Sequence, residues 1–179
     1  REIGMAGIRA DGEVRAAHFA RRRPLMALCS VLPVPRNTYV PPELPDAPAI
    51  QGLLAQLGYP DFTTAQAEER IQLHQASGYA MLVAVAQNQV VAFAALHWFQ
   101  LAHWHGPMGR ITAFCVDAGF RSQGVGQQLL GACEAFLFSK GCLKLEVTSN
   151  ERREKAHQFY RKAGYTEDSR RFVKYAKAG

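Results

Sequence analysis

Residues 110–140 pass from a strand to a helix through a turn that carries two glycines, and this passage constrains the chain more than any other feature. Residues 110–116 are apolar and partly β-branched, and Asp117-Ala118-Gly119 breaks the run. Beyond Gly124 the apolar residues recur at Val125, Leu129, Cys133, Phe136 and Leu137, the stripe of a helix with one buried face. Lys140 and Gly141 form its C-terminal end. A helix start leaves unsatisfied amide N–H groups and about half a unit of positive charge at the turn. With no side chain at Gly124 or Gly126, a ligand reaches the backbone itself. A pyrophosphate suits such a pocket, with Arg121 as a charged donor at its rim. Taken alone, the glycine pair is equally the mark of a tight turn that packs a helix on a strand. A dinucleotide loop of the G-x-G-x-x-G type is excluded because position 129 is Leu, and a Walker loop because no Gly-Lys-Ser/Thr occurs.

The rest of the chain supplies the partners of this unit. Residues 37–40 are a short β-prone run stopped by Pro41-Pro42. Asp46 is placed to cap a helix over 47–57, with Ile50, Leu53, Leu54 and Leu57 at helical spacing and Gly58 at its end. Thr63 and Gln66 have capping-box spacing and open a second helix reaching about Ser77. The period then shortens: 79–86 and 90–98 read as strands joined by a polar turn at Gln87-Asn88-Gln89. Residues 143–148 form another strand. Residues 152–163 form a helix with Ala156, Phe159, Tyr160 and Ala163 on one face, and a final β region runs from Tyr165 to 172–175. The order β-α-α-β-β-β-α-β-α-β predicts a mixed sheet with helices packed on it, an α/β (α+β) domain.

Charge and cysteines narrow the function classes. The net charge is +6, yet residues 1–36 hold seven Arg against three acids, so the basic character sits mainly in an arm. That segment reads as a poorly ordered basic extension and 37–179 as the folded domain, and nucleic-acid binding is not expected. No apolar run approaches the roughly 20 residues of a membrane-spanning helix. No two of the four cysteines have C-x-x-C spacing and three lie in periodic apolar segments, which fits reduced thiols and a cytoplasmic location. His103 and His105 lack a third ligand at a recognisable spacing, so no metal site is expected.

Two separated segments carry a family likeness. Val116-Asp117, Phe120-Arg121-Ser122-Gln123-Gly124-Val125-Gly126 and Leu129-Leu130 together resemble the R/Q-x-x-G-x-G/A signature of the GNAT superfamily of N-acetyltransferases. Leu145-Glu146-Val147-Thr148-Ser149-Asn150, followed by Ala156-His157-Gln158-Phe159-Tyr160-Arg161-Lys162-Ala163-Gly164-Tyr165, is similar to that superfamily's next strand and A-x-x-F-Y-x-x-x-G-F/Y helix. Even Pro45-Asp46-Ala47-Pro48-Ala49-Ile50 and Leu57-Gly58-Tyr59 are similar to its first helix. The resemblance implies a mostly antiparallel central sheet with helices on both faces, acetyl-CoA as co-substrate and no metal. It also implies that the strand before the loop splays from its neighbour. The backbone of Cys115 and Val116 would then meet the pantetheine arm, and the amides of Gln123, Gly124, Val125, Gly126 and Gln127 the pyrophosphate, with Arg121 and Ser122 at its edge. Asn150 would contact the arm, and Ala156 and Phe159 would line its far wall, although both also suit plain core positions.

Tyr160 is the residue to which the resemblance assigns chemistry: a general acid toward the departing CoA thiolate. A thiol has a pKa near 8.5 and a tyrosine near 10, so the phenol can donate once the thiolate forms. An aromatic core role is the alternative. The implied reaction is direct attack by a primary amine of a small molecule or peptide. For an amine of pKa near 10.4, deprotonation at pH 7 costs about 4.6 kcal/mol, so a base or a desolvating pocket is needed. No unique base is visible: Glu146 and Asp117 are candidates that equally suit structural roles, the resemblance also implies a water chain as the alternative, and the Val116 amide is the expected oxyanion donor. The acceptor site is expected from the first two helices and the 96–108 loop, whose His97, Trp98, Phe99, His103, Trp104 and His105 make it aromatic and weakly basic. An exposed aromatic loop serves equally as a homodimer contact. The competing reading of the whole chain is a non-catalytic acyl-CoA-binding or regulatory module of the same fold.

Overall fold

The computed structural model describes residues 39–168 and 172–176. The expected extension over 1–36 lies outside them. The described chain runs β1 (Tyr39–Val40), α1 (Ala47–Leu57), α2 (Thr64–Leu73), β2 (Tyr79–Ala86), β3 (Gln89–Gln100), β4 (Pro107–Val116), α3 (Val125–Ser139), β5 (Lys144–Val147) and α4 (Glu154–Lys162). The five strands form one sheet in the order β1-β2-β3-β4-β5. All neighbours are antiparallel except β4 and β5, which run parallel.

Local chemistry sets the element ends. Gly58 closes α1 at φ 110, a left-handed position that only glycine adopts without strain. Thr63 and Gln66 form the reciprocal capping box at the start of α2. Gln87 and Asn88 both take positive φ, which turns the β2–β3 hairpin in the primed sense that matches strand twist.

Alternation along β2 and β3 divides the core between the two faces of the sheet. Met81, Val83, Phe93 and Ala95 meet Ile50, Leu53, Ala67 and Ile71 of α1 and α2. Leu82, Ala84, Ala92, Ala94 and Leu96 meet Leu129, Cys133 and Leu137 of α3 and Tyr160 of α4. Each fully buried Leu, Ile or Phe contributes about 1.5–3 kcal/mol, so the two faces share the stabilisation of the sheet. Gly109 permits the tightest packing of β5: a Cβ there would sit 2.7 Å from Leu145 and 3.0 Å from Leu137.

One expected element is not formed. Among the described residues no strand follows α4, and Phe172 and Tyr175 are 92% and 86% exposed. A β-prone sequence becomes a strand only where a pleated, half-buried surface receives it, and these side chains meet none.

Candidate active site

The centre of the site is a fork in the sheet. β4 and β5 pair over four residues, from Met108 with Lys144 to Ile111 with Val147. There β5 ends, while β4 continues for five residues to Val116. The β4 register against β3 also slips at this point, so that Thr112 is an extra residue between the Ala95–Ala113 and Leu96–Ile111 pairs. Its hydroxyl donates to the Ala95 carbonyl at 3.1 Å. A bulge bends and twists its strand, and this one stands where β4 loses its partner.

Backbone direction along the free half of β4 follows from two hydrogen bonds. The Asp117 N–H donates to Val91 on β3, and the Val116 carbonyl accepts from Arg121 Nε on the other side at 3.0 Å. Strand backbone groups alternate sides, so the N–H groups of Val116 and Phe114 face the fork. Those of Cys115 face β3, and its buried side chain joins the α1–α2 core. Sequence reading names Cys115 here. The geometry turns Phe114, which it does not name, toward the gap.

The glycine turn lies just beyond. Ser122 and Gly124 both hold positive φ, 61 and 82. The first helical bond runs from Gln128 N to Gly124 O, leaving the amides of Val125, Gly126 and Gln127 with no acceptor within the helix. A Cβ on Gly126 would come 3.4 Å from Val116 and 3.6 Å from Phe159, ordinary contact distances, so this glycine stands where β4, the turn and α4 meet. The Gln123 side chain is turned back onto the Gly119 carbonyl at 2.8 Å.

Gln56 on α1 braces the turn. Its amide nitrogen donates to Asp117 Oδ2 at 2.7 Å, while its oxygen accepts from the Ala118 amide at 3.0 Å and Arg121 Nη2 at 3.4 Å. Hydrogen bonds from Gln56 and the Gly119 amide hold the Asp117 carboxyl below the usual carboxylate range. Asp117 is therefore occupied as a turn residue. Nothing in the sequence marks Gln56, a polar residue on an exposed helix flank.

On the α4 side Phe159, Tyr160 and Phe114 pack as one aromatic group, with centroids 5.2–6.4 Å apart. Ala156 packs against the same core. Tyr160 is 9% exposed, and burial pushes its hydroxyl up to about 12. Asn150 is exposed, and its side-chain oxygen accepts from the Arg152 amide at 3.0 Å, which forms the turn into α4. Arg153 donates to the Leu57 carbonyl at the end of α1, tying the start of α4 to α1.

The opposite face of the sheet holds the remaining candidates. Arg110 and Glu146 are register partners one rung before the fork and form an ion pair there. Arg110 also lies 5.3 Å over the Phe99 ring, which stacks on His97, which in turn stacks on Tyr79. Beneath α1 and α2 is a cavity of about 190 Å³ whose walls include Leu54, Phe62, Arg70, His74 and Thr112. Burial lowers the His74 pKa. The β3–β4 turn over 101–106 stands at the other end of β4. From Gly106 to Thr112 is about 20 Å at 3.3 Å per residue. His103, Trp104 and His105 are thus remote from the fork, contrary to the expectation that they wall an acceptor site, because β3 extends to Gln100 and β4 starts at Pro107. Among the described residues no three His, Cys, Asp or Glu side chains are grouped to hold a metal ion. No helix among them is long and apolar enough to cross a membrane.

Comparison with known proteins converges on one group. The Acetyltransferase (GNAT) family model matches residues 48–165. An aminoalkylphosphonate N-acetyltransferase of Salmonella typhimurium is 32% identical over 92 residues, 51% of this chain and 60% of that protein, so the match spans less than two thirds of the relative. An aminoglycoside N(6')-acetyltransferase type 1 of Stenotrophomonas maltophilia is 29% identical over 115 residues, 63% of this chain and 75% of that protein. An aminoglycoside N-acetyltransferase solved in complex with CoA has the same fold, with a TM-score of 0.65 at 20% identity over 75% of this chain and 90% of its own.

Proposed function

This chain belongs to the GNAT family of acetyltransferases, and we propose that it moves an acetyl group from acetyl-CoA to a primary amine of a small molecule or peptide by direct attack. The observation that carries the reading is the continuity of the fork, the glycine turn and the start of α3 along one stretch of chain. The fork exposes strand backbone to an amide-bearing arm, and the turn exposes helix amides to a di-anion. Gly126 stands beside Val116 and Phe159, where the fork and the turn meet. The amides of Gly124, Val125, Gly126 and Gln127, with Gln123, Arg121 and Ser122 at the edge, would hold pyrophosphate. Phe114 and Val116 would meet the pantetheine arm, with Cys115 behind them, and Asn150, Ala156 and Phe159 would form the α4 wall.

Acetyl-CoA supplies a thioester carbonyl as the electrophile. The Val116 amide, facing the fork, is the donor for the oxygen that gains charge. Glu146, one rung below the fork and ion-paired with Arg110, and Asp117, which ends β4, are the two side chains that could take the proton of the incoming ammonium, directly or through water. Tyr160 serves the sulfur. With a hydroxyl near 12 against a thiol near 8.5, complete proton transfer is opposed by about 5 kcal/mol. Tyr160 therefore acts by donating a hydrogen bond to the developing thiolate, which solvent then protonates. The two relatives named above act, by their names, on an aminoalkylphosphonate and an aminoglycoside; this chain shares with them an amine acceptor.

The test is to mix the protein with acetyl-CoA and a panel of amines, follow release of free thiol, and titrate acetyl-CoA calorimetrically. Turnover supports the proposal. Absence of acetyl-CoA binding overturns it, and binding without turnover on any amine, with no effect of Tyr160→Phe, identifies a non-catalytic acyl-CoA module instead.

A further inference from the structure

The cavity beneath α1 and α2 touches β4 at Thr112 and Ala113, where the strand leaves its partner. At about 190 Å³ it is smaller than the roughly 300–1,000 Å³ of pockets for drug-sized ligands, so its occupant is small or enters by one end. Its walls are apolar, with Leu54 and Phe62 among them, and they contain no carboxylate. The charged side chain at its edge is Arg70 of α2. Among the described residues the Arg70 guanidinium makes no ion pair, and the residues three and four positions away on its helix are Gln66, Ala67, Leu73 and His74, none of them acidic. His74, whose Nδ1 lies 2.7 Å from the Arg70 carbonyl, is held toward its neutral form by burial and adds no negative charge. On the fork side Glu146 is already neutralised by Arg110.

Arg70 is therefore the one formally charged residue of the cavity lining. Thr112 of the lining is the bulge residue where β4 leaves β5, and Arg70, exposed on α2 after Glu68 and Glu69, offers a guanidinium that makes no ion pair among the described residues. Resting on the acetyltransfer reading above, we infer that the acceptor is a small amine carrying an anionic group on a short apolar stem. The amine lies toward Thr112 and the fork, and the carboxylate, phosphate or phosphonate is held by Arg70. A polycation would bring a second ammonium to Arg70 with no acid to receive it, and like charges at that separation repel. Guanidinium groups suit tetrahedral and planar oxyanions because they donate in pairs.

Two charge series test this at constant stem length: 4-aminobutanoate, its amide and 1,4-diaminobutane, and the corresponding six-carbon set. Thiol release from acetyl-CoA gives kcat/KM for each. The expected order is anion, then amide, then diamine, with the anion favoured over the diamine about tenfold or more. Arg70→Gln flattens the series and Arg70→Glu inverts it, while calorimetric affinity for acetyl-CoA and thermal unfolding stay as in the unsubstituted protein. A preference for the diamine, an Arg70→Gln series with unchanged ratios, or turnover of none of the six compounds by a protein that binds acetyl-CoA overturns the inference alone. Failure to bind acetyl-CoA overturns the acetyltransfer reading beneath it.

Discussion

Arg110 on β4 donates its Nε–H to the Glu146 carboxylate on β5, one rung before those strands part. The pair stands on the sheet face that α1 and α2 cover, and Phe99 backs the guanidinium. Glu146 is the base candidate on this face of the sheet. Glu146→Gln keeps the shape and removes the proton acceptor. The expected outcome is a fall in kcat/KM at pH 7 of about 10²- to 10⁴-fold. The loss narrows as pH rises toward the amine's own pKa, near 10.4, where the acceptor deprotonates unaided. A pH–rate profile of acetyl transfer checks both the size and the slope.

Tyr160→Phe removes the hydroxyl and leaves the ring packed against Phe114 and Phe159. A hydrogen bond to a charged group contributes about 1.5–3 kcal/mol. The variant is therefore expected to lose about 10- to 100-fold in kcat with little change in the KM for acetyl-CoA. Steady-state kinetics separate the two parameters; a change confined to KM would contradict a role at the sulfur.

The same tyrosine makes stability depend on pH at the alkaline end. Its pKa is about 12 in the fold and about 10 in the unfolded chain. The folded state thus holds the proton more tightly, so this contribution is complete below about pH 10 and is lost as pH rises toward 12. Two units correspond to at most about 2.7 kcal/mol. Denaturant unfolding at pH 8 and pH 11 should show a smaller alkaline loss in Tyr160→Phe than in the unsubstituted protein. Because Tyr165 and Tyr39 are also raised by burial, only the difference between the two proteins isolates Tyr160.

Gly124 holds φ 82 at the head of α3. An alanine there adopts a left-handed backbone at a cost of about 1–2 kcal/mol, although its Cβ would meet only Gln128, at 3.6 Å. Gly124→Ala should lower stability by that amount and weaken calorimetric binding of acetyl-CoA more than tenfold, since the turn's amides shift with the backbone. Equal affinity would show that the turn does not hold the cofactor.

Gln56→Ala removes three bonds at once, to Asp117, Ala118 and Arg121. Exposed bonds of this kind contribute about 0.5–1.5 kcal/mol each, and the predicted loss of stability is about 1–2 kcal/mol. Affinity for acetyl-CoA should fall several-fold because Arg121 and the turn lose their brace. Chemical denaturation and calorimetry on the variant measure the two effects separately.

Much of the fold is legible before any coordinates. The stripe at Val125, Leu129, Cys133 and Leu137 is a buried helix face, as its spacing says. Thr63 and Gln66 form the capping box, and Gln87 and Asn88 form the hairpin turn. These features are local, in that the residues that cause them are within a few positions of one another. The final β region misleads for the opposite reason. Phe172 and Tyr175 have the right residue types, but a strand depends on a surface elsewhere in the chain, and they find none.

The chain alone thus determines the strand–turn–helix at residues 107–139, and with it the place where amides and glycines gather. Repeat spacing, caps and turn residues act over short range, and so they survive translation from letters to shape. What only the tertiary structure decides is the fork itself, where β5 stops at Val147 and Thr112 bulges. It alone aims Val116 rather than Cys115 into that gap, brings Gln56 to the turn from 61 positions away, and sets Arg70 and Thr112 in the walls of one cavity. Each of these depends on register and packing between segments distant in sequence, and pairing of that kind leaves no periodic trace in either partner.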